Sequence, residues 1–198
     1  MCFGFPYSQN SAFCPIIERL NQVLQFRPED TPEHKVVTLH DTLLQYRFPQ
    51  EETLALFAHL LSLPVPASSS PLTLSPQQQK QKTEEAFVAW FIEEAEQRAV
   101  YVIWEDLHWS DSSTLEVLSL FLDQLPTARI LVVLTYRPEF SPPWPVRSHM
   151  TQFTLARLGQ KQMEAMVTTV TGGSLLPPAL MAEVASKTDG IPLFVEEF

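Results

Sequence analysis

Glycine is scarce in this chain: five occur in 198 residues, at Gly4, Gly159, Gly172, Gly173 and Gly190. No two are separated by five positions, and none stands directly before a lysine. A glycine-rich loop that wraps phosphate groups with its backbone is therefore not written in these residues. Cysteine is scarcer still. Cys2 and Cys14 are too few for a disulfide framework and are not spaced with histidines as zinc ligands are. Basic residues number 13 against 23 acidic ones, and the formal charge of −10 argues against a nucleic-acid or anionic-membrane surface. No apolar run approaches the length of a membrane span. The N-terminal MCFGFPYSQN lacks the basic region and long apolar stretch of a signal peptide. Together these absences predict a cytoplasmic protein without membrane or direct nucleic-acid contact.

What is present is a hydrophobic content of 45%, enough for one real core. Between Ser11 and Phe26 the residues Ile16, Ile17, Leu20, Val23 and Leu24 recur at helical spacing. Thr31 and Pro32 form a cap and a favoured first helical position, and the helix to Tyr46 places Val36, Val37, Leu43 and Leu44 on one side. Gln50–Leu63 reads as a third helix, with the stripe Leu54, Phe57, Leu60 and Leu61. A Pro/Ser-rich linker over 64–75 follows, and Ser75–Pro76 opens a long polar helix whose apolar side holds Phe87, Val88, Phe91 and Ile92.

Continuous apolar runs at Val100–Trp104 and Ile130–Leu134 predict strands of a parallel sheet covered on both faces. Between them Ser113 and Glu116 fit a capping box, with Leu115, Leu118 and Leu122 facing inward. Gln152–Leu155 reads as a third, short strand. Helices near Gly159–Val170 and Pro177–Lys187 follow, and another begins at Pro192. Strand, helix and strand in alternation predict an α/β domain with a helical flank. The expected division is a core over 1–155, with its helical part at 11–63, and a remainder over 156–198.

Glu105 and Asp106 follow directly on the first strand, where ligands of open parallel sheets sit. One carboxylate there can hold Mg²⁺, directly or through water, and a second can orient or deprotonate an attacking water. The hydrophobic strand fixes both acids on a rigid element. Four hydrophobics followed by two acids is the Walker B pattern of P-loop nucleotidases; such a pair can equally just end a strand and cap the next turn.

VIWEDLHWSDSSTLEVL, ILVVLTYRPEF and TDGIPLFVEEF, in that order, resemble the ATPase module of STAND proteins, signal-transduction ATPases related to AAA+ proteins. The likeness is to ATPase regions of large bacterial regulators, often joined to adenylate/guanylate cyclase, protein kinase or LuxR-type domains. It extends over most of the chain, including SQNSAFCPIIERL and LSPQQQKQKT. The resemblance implies ATP and Mg²⁺ as cofactors and the other domains of a parent regulator as partners. Glu105 stands at the family's Mg²⁺-associated acid, and Asp106 at the general-base or water-orienting position. His108 and Trp109 belong to a turn that packs over the following helix, and Asp111 is a helix-start residue. Thr135 and Arg137 match the sensor 1 region, where an arginine reaches the γ-phosphate; pairing with Glu139 is the alternative for Arg137. Gly190, Ile191 and Pro192 match the motif that starts the helical lid, whose proline lies near the adenine.

The same resemblance implies a partial P-loop fold, with strand order 5-1-4-3-2 in a three-layer parallel sheet lacking its first two strands. The chain is then expected to be a fragment whose phosphate loop lies upstream, inactive alone. Two other readings compete. One is a non-catalytic remnant acting through protein contacts. The other is a metal-dependent hydrolase built on Glu105, Asp106 and His108. That hydrolase needs further ligands, and His34, His40, His59 and His149 are scattered without ligand spacing.

Overall fold

Two helices begin where the sequence marks them. Thr31 Oγ1 accepts a hydrogen bond from the His34 amide at 3.2 Å, and Ser75 forms a reciprocal capping box with Gln78. The computed structural model describes residues 2–3, 12–47, 49–65, 73–174 and 176–197, with only the backbone of 2–3. It is a mixed α/β structure, mostly helical, around a small parallel sheet.

The order is β1 (Cys2–Phe3), α1 (Cys14–Val23), α2 (Pro32–Leu43), α3 (Gln50–Leu60), α4 (Pro76–Gln97) and β2 (Val100–Glu105). A 3-10 turn at Leu107–Trp109 leads to α5 (Ser112–Gln124) and β3 (Ile130–Leu134). Three further helices are α6 (Gln160–Val170), α7 (Pro178–Thr188) and α8 (Pro192–Glu197). The chain divides into two compact units, Met1–Arg147 and Ser148–Phe198.

In the first unit β2 and β3 form the body of the sheet, in parallel from Val100 opposite Ile130 to Trp104 opposite Leu134. The two residues of β1 pair on the other side of β2, with Cys2 opposite Trp104 and Phe3 opposite Glu105. The order β1-β2-β3 steps one way across the sheet. Right-handed crossovers that step one way deliver their helices to one face. Val102 and Trp104 point to that face and are buried, together with Phe57, Phe87, Leu118 and Leu122. Each such apolar side chain contributes on the order of 1.5–3 kcal/mol by leaving water.

The opposite face corrects the expected three-layer sheet. Tyr101 is 58% exposed and Leu131 63%, and Val133 is exposed beside them. A continuous apolar run thus signals a parallel strand here without signalling two covered faces. The predicted strand at Gln152–Leu155 is not formed either: Phe153 is 81% and Leu155 94% exposed, in irregular backbone. Among the described residues no strand neighbours them, and a lone segment without pairing is not held as a strand.

Smaller corrections concern helix faces. α2 buries Leu39 and Leu43, while Val37 and Leu44 face solvent. The predicted capping box at Ser113 is absent, because α5 starts earlier, on Asp111.

The second unit packs α6, α7 and α8 around Met163, Val167, Val184 and Val195. Asp189 and Gly190 both take left-handed backbone between α7 and α8, with Gly190 at φ 71°. A Cβ at Gly190 would stand 2.6 Å from the Leu158 carbonyl oxygen, so only glycine fits.

Candidate functional site

Strand β2 carries Glu105 as its last residue, half-buried, and Asp106 follows in solvent. Asp106 takes the left-handed conformation, φ 54° and ψ 45°, which aspartate tolerates better than most side chains. That conformation turns the chain directly after the strand.

Thr135, directly after β3, ties the bend down. Its Oγ1 accepts from the Asp106 amide at 3.1 Å, and its carbonyl oxygen accepts from the Leu107 amide at 3.0 Å. Its own amide donates to the Trp104 carbonyl at 3.0 Å. Three bonds from one residue hold the acidic turn against the end of the neighbouring strand. At roughly 1 kcal/mol net each, they are enough to fix one geometry.

Arg137 lies over the Trp109 ring, with its guanidinium carbon 5.7 Å from the ring centroid. Trp109 in turn packs on His108, the ring centroids 5.0 Å apart. No ion pair joins Arg137 to Glu139; the guanidinium is stacked on the turn that follows the acids. Arg137 is exposed.

Asp111 anchors the far side of the turn. It is 5% exposed, and its carboxylate accepts from the Thr114 amide at 2.9 Å and the Thr114 hydroxyl at 2.6 Å. It also accepts from the Phe13 amide at 3.3 Å. Its role as a helix-start residue is thus observed, with an additional tie to α1 that spacing alone does not show. Near it, burial first, and then the charges of Glu18 and Asp111, push the Cys14 thiol up, which disfavours a thiolate nucleophile there.

Glu105, Asp106, Thr135 and Arg137 therefore converge on one end of the first unit. Pro192 is the first residue of α8 in the second unit, exposed, and follows the left-handed Gly190. Among the described residues no three of His, Cys, Asp and Glu converge as a metal cage would require. A closed zinc-type site has no donors here. Mg²⁺ is different, since it keeps several waters and takes one or two carboxylates, the remainder coming from phosphate oxygens. Glu105, half-buried, and Asp106, exposed, are the two acids at this strand end.

Compared with protein-family models, curated proteins and solved structures, the chain matches none. Among the described residues no helix is long and apolar enough to cross a membrane.

Proposed function

We propose that this chain carries the acid-bearing and sensing part of a nucleotide-dependent switch, of the STAND/AAA+ type found in signalling regulators. The observation that carries the reading is the Thr135 tie, which holds the Glu105–Asp106 turn against the end of β3. A strand-end acid pair tied to Thr135, two residues before an arginine, supports one part of a hydrolytic nucleotide site.

In this reading Glu105 and Asp106 would hold Mg²⁺, which would supply charge neutralisation for a phosphate group. Asp106, in solvent, is placed to orient a water or take its proton. A phosphate held at this end would offer Arg137, now stacked on the Trp109 ring, an anionic partner. The triphosphate itself does not fit the residues present, because no glycine-rich loop with its lysine occurs in the sequence. On its own the chain is therefore a poor ATP binder.

The test supplies what is absent. A strand, glycine-rich loop and helix from a STAND ATPase are joined ahead of residue 1. The chimera is expected to hydrolyse ATP, and Asp106→Asn to suppress turnover while MgATP binding persists. Full turnover in Asp106→Asn overturns the assignment. A second reading, a non-catalytic interaction module, is favoured by one observation: the open apolar face of Tyr101, Leu131 and Val133.

A further inference from the structure

The strand end that carries the acids also carries a cation, and an uncharged side chain holds it. Arg137 follows Thr135 by two residues, and its carbonyl oxygen accepts from the Phe140 amide at 3.0 Å, so its backbone sits in a turn. Its side chain is exposed, and an exposed arginine on a flexible stem samples many rotamers. Among the described residues it pairs with neither acid of the strand end, Glu105 or Asp106, nor with Glu139 on its own loop. The guanidinium carbon stands over the Trp109 ring instead, 5.7 Å from its centroid.

Trp109 belongs to the acid turn itself. Its amide donates to the Asp106 carbonyl at 2.8 Å, and the same turn is tied to Thr135 through the Asp106 and Leu107 amides. The ring is half-buried and packs beside His108, the centroids 5.0 Å apart. The platform under Arg137 is therefore set by the backbone that sets Asp106.

The chemistry of the holder matters. Were Glu105 or Asp106 the partner of the guanidinium, the negative charge left for a divalent cation would fall. An aromatic ring attracts a cation through its quadrupole and consumes no formal charge on either side. We infer that Trp109 is the positioning residue of Arg137: it keeps the guanidinium at the acid turn, for an anionic group, while leaving both carboxylates to a cation. The inference rests on the nucleotide-switch reading and gives that site a residue otherwise assigned only to packing.

The test uses the isotope-labelled 198-residue chain. Arg137→Gln, on an exposed residue, is expected to shift the Trp109 indole N–H signal; an unmoved signal overturns the inference without any metal present. Mn²⁺ then probes the acids, read from the broadening of the Asp106, Leu107 and Thr135 amides. Trp109→Leu frees Arg137 to pair with those acids and is expected to weaken Mn²⁺ binding roughly two- to fivefold, the range an exposed cation–π contact implies. Trp109→Phe keeps a ring face and is expected to lose less. Adding Arg137→Gln to Trp109→Leu is expected to restore binding. Unchanged binding in Trp109→Leu, an equal loss in Trp109→Phe, or a loss that Arg137→Gln does not relieve overturns the inference alone. Wild-type amides that stay sharp with Mn²⁺ sink the nucleotide reading, and the inference with it.

Discussion

Replacing Asp111 by alanine removes the residue that holds the start of α5, and its cost can be worked from the contacts. The lost N-cap bond to the Thr114 amide costs about 1 kcal/mol. The Thr114 hydroxyl, on a fully buried residue, loses its acceptor at 2.6 Å, which adds about 1–2 kcal/mol for an unsatisfied donor. The Phe13 amide bond, longer at 3.3 Å, contributes a few tenths; it also helps hold Phe13 in its left-handed conformation, φ 61°. The sum is about 3 kcal/mol. For a unit of this size that corresponds to a fall in Tm of roughly 6–12 °C. Urea denaturation of wild type, Asp111→Ala and Asp111→Asn measures it. Asparagine keeps a cap acceptor and is expected to lose less than half as much. A loss below about 0.5 kcal/mol for alanine, the scale of an unremarkable surface change, would refute the reasoning.

Three further outcomes are expected. Glu84 is buried, and that burial raises its pKa against the opposing pull of Lys80. A carboxyl with a raised folded pKa lends its stability below its ordinary value of 4.5 and loses it as pH rises through the folded value. Glu84→Gln should therefore flatten the pH dependence of stability above pH 4.5 and be at least as stable at neutral pH; urea titrations across pH that show a less stable variant at neutrality contradict this. Gly190→Ala places a Cβ 2.6 Å from a carbonyl oxygen in left-handed backbone and should cost about 2 kcal/mol or more. Faster amide exchange confined to α6–α8 is the signature, and unchanged exchange there refutes it. Calorimetric titration with MgATP should show no micromolar binding by the 198-residue chain, because no phosphate loop is present; a micromolar Kd would defeat that expectation.

How much of this was readable in advance depends on whether the signal is local. Caps are local, so Thr31 and Ser75 gave the starts of α2 and α4 directly. Helical periodicity placed Ile16, Leu20, Phe57, Phe87 and Leu118 in the core. At α5 two local signals competed, and the buried carboxylate of Asp111 prevailed over the Ser113 box because it satisfies two groups of Thr114 and reaches α1. Sheet coverage is not local. Ile130–Leu134 is apolar throughout, yet whether Leu131 meets a helix or water depends on which way the crossovers step. Gln152–Leu155 had strand-like residues but, among the described residues, no strand to pair with. At the acids the sequence named Glu105, Asp106, Thr135 and Arg137, but the left-handed turn at Asp106 and the triple tie through Thr135 are products of folding. The stacking of Arg137 on Trp109 in place of a pairing with Glu139 likewise follows from where the turn lies.

The most direct measurement titrates Mn²⁺, a paramagnetic stand-in for Mg²⁺, into the isotope-labelled chain and maps which amide signals broaden. Broadening centred on Asp106, Leu107 and Thr135, and lost when Glu105→Gln and Asp106→Asn are combined, is the predicted result. Broadening spread over other surface acids while those three amides stay sharp would contradict the claim that this strand end is built to hold a divalent cation.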